Sequence, residues 1–469
     1  MIELAIQINQ DNSVSLYEQI YNHIRSEIRN GNLSRGMKLP STRNLCNHLQ
    51  VARSTVQMAY DQLLSEGYIE SLPCKGYFVA DIEGMYDVSF EMGEIELPKA
   101  DTDDKKDGKK YKYDFSSSGI DLDSFPFNHW RKITKNVLVD DNKELFMRGD
   151  VQGEAEFRKT ISSYLYQSRG VVAKPQNIIV GAGNEYLLML LNQLLDFKKT
   201  YAMENPNYRQ TYRILKSLGE EVLIVSQDKS GMQVKSLEEA GANIAYVMPS
   251  HQFPIGIVMP MKRRMELLNW ASQSENRYII EDDYDSEFRY KGKPIPALCG
   301  FDKYQKVIYI GTFSKSIAPA IRMSYMVLPD ELMQIYHDRI GFYSCTVSRI
   351  DQMIVRDFME SGYYEKHLNK MRALYKGRHD VFLCQLESLS DRFIISGENA
   401  GLHVLLKSKN ELSEKELIDR AAKVGVKVYP LSAYDIGDTA PERNTVILGY
   451  ANCDETQIKE GVELLCKVW

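Results

Sequence analysis

The sequence predicts an α/β protein in which a compact helix-rich unit precedes a large domain built on a mostly parallel central sheet. Three observations carry this expectation. From residue 113 onward short β-rich runs alternate with helix-like stretches, the pattern of strands connected by helices. Residues 1–80 instead show apolar residues at helical spacing and end in a glycine-containing hairpin signal. Between them, residues 81–112 are dense in charge, and their later half is nearly devoid of apolar side chains. Such a stretch cannot offset its ordering entropy by burial, so it reads as a flexible linker. The expected domains are therefore 1–80, a linker over 81–112, and 113–469.

Composition narrows the function classes. The 469 residues are 43% hydrophobic and 26% charged with a formal net charge of −6, an ordinary globular balance. No apolar run reaches the roughly 18 residues that span a bilayer. The N-terminus lacks a basic start followed by an apolar core, so no signal peptide is expected. Seven scattered cysteines without a CxxC pair argue against a metal site and for reduced thiols in the cytoplasm.

In the N-terminal unit Leu16, Ile20, Ile24 and Ile28 recur every four residues and form one helix stripe that Gly31 stops. Pro40-Ser41 opens a second helix with Leu45 and Leu49 inward. A third begins near Arg53, with Val56, Ala59, Tyr60 and Leu63 on its buried side. Two short helices around a tight turn, the second opening with polar residues, follow helix-turn-helix logic. Arg53, Ser54, Thr55 and Gln57 then stand at the exposed start of the recognition helix, where side chains reach bases and phosphates. YIESLPCKGYFVA reads as two strands around a turn, a wing carrying Lys75. Bulk charge adds nothing, because basic and acidic residues balance at seven each over residues 1–80. The order LYEQI, LPSTRNL, VARSTVQMAY, SEGYI and GYFV closely resembles the GntR-type winged helix-turn-helix. That resemblance implies binding to double-stranded DNA through Arg43, Arg53, Ser54, Thr55 and Lys75. Ala52 stands where the family usually has serine, which removes one capping or phosphate-binding hydroxyl.

The large domain carries a different chemistry. Strand VIYIGTF (307–313) delivers Thr312, Ser314 and Lys315 within four residues, and Arg322 follows. Two hydroxyls and a guanidinium beside a lysine suit pyridoxal 5'-phosphate (PLP), which is held by its phosphate while its aldehyde reacts with the amine. IIEDDYDSEF ends a buried strand in acids, one of which would keep the pyridine nitrogen protonated. GAGNEY is a glycine turn after strand NIIV that offers a helix N-terminus to a phosphate. GTFSKSIAPAIRMSY resembles the lysine motif of fold-type I aminotransferases. By that resemblance Lys315 forms the Schiff base, Asp282 meets the pyridine nitrogen, and Tyr284 hydrogen-bonds the ring O3'. Gly183, Asn184, Thr312, Ser314 and Arg322 bind the phosphate, and Tyr208 stacks on the ring. Asp283 and Asp285 are expected to be structural or solvent-facing.

Together the two halves resemble the MocR/GabR family of PLP-binding transcription regulators over essentially the whole chain. The resemblance implies a homodimer that reads paired half-sites and responds to a small amine or amino acid effector through an aldimine at Lys315. Three departures from working aminotransferases favour sensing over turnover. Phe253 stands where the enzymes place the asparagine that binds O3', Ile447 where they place the substrate-carboxylate arginine, and Arg148 where a tyrosine reaches the partner's phosphate. Arg209, Arg443 and Arg148 remain as candidates for gripping a carboxylate. A slow transamination, an active aminotransferase with an appended helix-turn-helix, and a regulator sensing PLP itself all stay open at this point.

Overall fold

A computed structural model describes residues 6, 14–73, 75–81, 111–289, 295–398, 401–410, 412–437 and 443–469. The chain forms two compact units, residues 1–106 and 107–469. The expected linker falls almost wholly outside the described residues. Its last residue, Lys112, already belongs to the large unit, where its N–H donates to Gly425 O at 2.8 Å.

In the small unit α1 (Leu16–Arg29), α2 (Thr42–Leu49) and α3 (Arg53–Ser65) precede a hairpin of β1 (Ile69–Leu72) and β2 (Gly76–Val79). Ile20, Ile24 and Ile28 of α1 are buried with Leu45, Val56, Tyr60 and Leu63, as their spacing predicts. Each such side chain contributes about 1.5–3 kcal/mol by leaving water. Ser41 caps α2 by accepting from Asn44 N at 3.2 Å. Ala52 has no oxygen to offer, and α3 starts without a side-chain cap.

The large unit begins its sheet architecture with α4 (Ala155–Arg169), followed by β3 (Ile178–Gly181), α5 (Asn184–Leu194), β4 (Thr200–Glu204), α6 (Arg209–Ser217) and β5 (Glu221–Val225). Next come β6 (Ile244–Val247), α7 (Met261–Ser272), β7 (Tyr278–Asp283), β8 (Val307–Thr312) and β9 (Ser324–Val327). The seven strands order as β3-β9-β8-β7-β6-β4-β5. Only β9 runs antiparallel to its neighbours within this sheet. Helices cover both faces, so β3, β6, β7, β8 and β9 are buried along their whole length and read as continuous apolar runs. Ile179, Ile244 and Ile308 pack with Leu187, Leu191 and Leu194 of α5 on one face. Ile178, Val180 and Tyr309 pack with Phe157, Ile161 and Leu165 of α4 on the other. Beyond it, β10 (Phe393–Ser396), β11 (His403–Ser408), β12 (Tyr429–Pro430) and β13 (Thr445–Gly449) form a second, antiparallel sheet in the order β10-β11-β13-β12.

One charged pair ties α4 to the sheet. Arg169 Nε donates to Asp283 Oδ2 at 2.8 Å, with both side chains almost fully buried, and the Tyr309 hydroxyl donates to the same oxygen. Removing one partner of a buried pair strands the other charge and costs about 3–5 kcal/mol. Asp283→Ala is therefore expected to lower the urea midpoint of the large unit markedly. A midpoint within error of the unsubstituted protein would show that Arg169 finds other partners.

Candidate functional site

The sheet register assembles the site. Thr312 ends β8 directly opposite Ser324 at the start of β9, and Ser324 faces Gly181 at the end of β3. Ser324 Oγ donates to Thr312 Oγ1 at 3.0 Å, and Thr312 Oγ1 donates to Ser314 Oγ at 3.1 Å. These carboxyl-end positions are where open α/β sheets bind ligands. Arg322, in a left-handed conformation just before β9, reaches across to the first turn of α5 and pairs with Glu185. Gly183 N-caps that helix at φ 95°, ψ 166°, a region essentially reserved for glycine. A Cβ there would sit 2.3 Å from Arg322 Nη2. The sequence predicts that this turn offers its N–H groups to a phosphate, but that of Gly183 turns back to Gly181 O at 2.9 Å.

Asp282 closes the far end of the cavity. It accepts from Asn184 Nδ2 at 3.1 Å and from the Tyr246 hydroxyl. Burial pushes its carboxyl up to about 7, and Asp283 and Asp285 add repulsion against the hydrogen bonds that hold it down. The Asn184 Oδ1 beside it is buried without a partner. Between these ends lies Lys315, whose Nζ donates to Ser117 O at 3.2 Å and Ser118 O at 3.1 Å. Burial pushes this amine down from 10.5 to about 8, with Asp285 working in the other direction.

An aromatic wall completes the cavity. The Phe253 ring meets those of Tyr434, His403, Tyr284 and Tyr208 edge-on, at centroid distances of 4.8, 5.4, 5.9 and 6.0 Å. Tyr284 OH lies 2.8 Å from His251 Nδ1, which also meets Asp285 Oδ2 at 2.9 Å. Burial and the neighbouring His251 hold His403 down at about 4, so it is uncharged at neutral pH.

Asn184, Tyr208, Asp282, Tyr284, Thr312, Ser314, Lys315 and Arg322 all line this one cavity, with Gly183 directly behind Arg322. Asp285 is not solvent-facing: it is buried and borders the cavity beside Lys315. The arginine candidates are not brought here. Arg443 is held bidentate by Asp435, Arg148 donates to Phe342 O at 3.4 Å, and Arg209 is exposed outside the lining. Ile447 is fully buried with Leu405 and Leu431. Ser117, Ser118, Leu402, His403 and Tyr434 also line the cavity and carried no sequence signal. Among the described residues no cluster could hold a metal ion, and no helix is long and apolar enough to cross a membrane.

On the small unit, Arg43 of α2, Arg53 and Ser54 of α3 and Lys75 between β1 and β2 are exposed, and Thr55 is half-buried. Gln57 is partly committed, donating to Asp61 Oδ1 at 2.8 Å and Tyr77 OH at 3.3 Å.

The depressed Lys315 makes a testable statement. The neutral amine is the nucleophile, and its fraction grows as pH rises through about 8 rather than 10.5. Capture of an aromatic aldehyde by cofactor-free protein, followed by absorbance, should therefore reach half its maximal rate near pH 8. A midpoint above pH 10 would mean that the amine is solvated.

Comparison with known proteins agrees with this geometry. The family "Aminotransferase class I and II" matches residues 111–465, and "Bacterial regulatory proteins, gntR family" matches residues 16–79. The chain is 39% identical to the HTH-type transcriptional regulator YdeL of Bacillus subtilis, covering 98% of both chains. It is 30% identical to a probable rhizopine catabolism regulatory protein, MocR, of Rhizobium meliloti, over 98% of this chain and 94% of that one. An archaeal alanine:glyoxylate aminotransferase structure superposes with a TM-score of 0.69 at 25% identity, covering 78% of this chain and 92% of that one. The fold implies PLP, and the residues present fit it. Asp282 suits a pyridine nitrogen, Lys315 an aldehyde, and the side-chain-free turn at Gly183 with Arg322, Thr312 and Ser314 a phosphate. The chain belongs to the MocR/GabR family, a GntR-type winged helix-turn-helix followed by a fold-type I, PLP-binding aminotransferase-like domain.

Proposed function

We propose that this protein is a cytoplasmic, homodimeric transcription regulator that binds paired DNA half-sites and senses a small amine or amino acid through Lys315. The observation that carries the reading is a cavity that keeps the means of holding PLP but not those of positioning a substrate for turnover. Asp282, Lys315, Arg322, Thr312 and Ser314 converge there, whereas Phe253 occupies the wall and Ile447 lies in a separate apolar cluster. Bound PLP supplies an aldehyde carbon that condenses reversibly with primary amines. Lys315 would hold that carbon, Asp282 would keep the ring nitrogen protonated, and Tyr208 would cover the ring. Tyr284 would donate to the ring oxygen. Catalysis needs groups placed to within about half an ångström. Sensing needs only a ligand with different affinities for two arrangements of the protein.

The test is a visible-absorbance titration of PLP-loaded protein with amines and amino acids, with keto acid assayed in the same cuvettes and DNA binding by mobility shift. A saturable spectral change that alters DNA affinity, with little keto acid, is expected. Steady keto acid release with unchanged DNA affinity would make the protein an aminotransferase.

For the DNA face, Arg43, Arg53, Ser54, Thr55 and Lys75 are the proposed contacts. Arg53→Ala should weaken operator binding by about tenfold or more, in line with about 1–3 kcal/mol for an arginine reading a base edge. It should leave the PLP spectrum intact. Unchanged affinity would move the reading edge elsewhere on the unit.

A further inference from the structure

The charges on the cavity wall say which amines it can take. Among the described residues lining it, the cationic side chains are Lys315 and Arg322, whereas Glu185, Asp282 and Asp285 supply three carboxyls. Arg322 is paired with Glu185 and stands at the phosphate end of the cavity. Two guanidinium groups nearby are committed, whereas Arg209 is exposed and outside the lining. Arg443 is locked on Asp435, a side chain only 3% exposed, and Arg169 on Asp283. His403 is uncharged at neutral pH. The lining also holds rings and aliphatic side chains, among them Phe253, Tyr434, Leu402, Ile214 and Met248.

Among this chain's lining residues, a carboxylate brought into such a place loses its water and finds only Lys315, which must take part in the capture, and Arg322, which Glu185 already holds. It also faces Asp285, which borders the cavity. An unpaired buried charge costs several kcal/mol even after relaxation. An ammonium approaching the same wall meets no repulsion from Asp285, and an uncharged apolar body gains by covering the rings. The phosphate of bound PLP would add negative charge and engage Arg322, so loading the cofactor would sharpen the discrimination.

We propose that the effector is a primary amine carrying no carboxylate, with its uncharged apolar part against Phe253 and Tyr434. This rests on the amine-sensing reading above and narrows it.

Matched pairs that differ only in the carboxylate test it directly: phenethylamine against phenylalanine, and isoamylamine against leucine. Each is titrated into PLP-loaded protein while the visible band is followed. Half-saturation should come at least tenfold lower for the amine than for its amino acid in both pairs. Equal or tighter binding of the amino acids overturns the proposal while leaving amine sensing intact. If neither member of either pair moves the band, both readings fall together. Phe253→Arg, which places a cation on the wall, should shrink the amine preference by tenfold or more. A folded, PLP-loaded F253R protein that keeps the original ratio overturns the placement of the effector's body. If that variant does not fold, the pairs measured on the unsubstituted protein decide.

Discussion

Successive residues of a strand face opposite sides of the sheet, and in β7 this alternation separates three adjacent buried acids into different surroundings. Glu281 accepts from the N–H groups of Leu298 and Cys299 at 2.8 and 2.7 Å, and Asp283 accepts from Arg169 and Tyr309. Asp282, between them, points the other way, into the cavity with Asn184 and Tyr246. The pairing of Asp282 with Ile310 and Asp283 with Gly311 holds that arrangement. A one-residue slip would turn Asp282 toward α4 and bring Asp283 into the cavity. The same ladder sets Thr312 against Ser324, so the pyridine end and the phosphate end of the site share one hydrogen-bonded framework.

That framework gathers charge where water is scarce. Asp282 and Lys315 are driven toward each other's range, one up and one down, and both changes come mainly from burial. A carboxyl near 7 and an amine near 8 are both only partly committed at neutral pH, which suits groups waiting for a ligand with its own charges. The rest of the chamber responds differently. Arg322 keeps a partner in Glu185, and Asp285 is tied to His251, so neither is left uncompensated.

Much of this is legible in the sequence because it is local. Lys315, Thr312 and Ser314 come from one strand end, the Ser41 cap follows from a residue type at a helix start, and the bare N-cap of α3 follows from Ala52. What is not legible comes from afar. Ser117 and Ser118 lie 198 and 197 residues from the lysine they hold, and His403 and Tyr434 enter from the segments around the second sheet. Nothing in their own neighbourhoods marks them. Whether Asp285 is structural or solvent-facing is left open for a related reason: alternation along a strand stops being informative once the strand has ended, and Asp285 lies two residues beyond β7. Arg443 is drawn away from the cavity because a guanidinium near a site in sequence pairs with whichever acid the fold brings closest, here Asp435.

The cavity's construction also says how occupancy can be felt. Asp282 and Thr312 of the lining lie on the main sheet, with Lys315 just beyond β8, and Ser117, Ser118, Leu402, His403 and Tyr434 come from segments outside that sheet. Lys315 itself bridges them through its hydrogen bonds to Ser117 and Ser118. A ligand seated in the cavity puts its own body between these two sets of segments. Its binding energy then depends on their separation, and that dependence is the differential affinity any switch requires. Coupling of about 1–3 kcal/mol is enough for regulation. An aromatic wall can supply that by area alone, without the sub-ångström placement that proton transfer demands. Under the proposed reading, Phe253 and Ile447 in place of positioning groups would cost a catalyst more than a sensor.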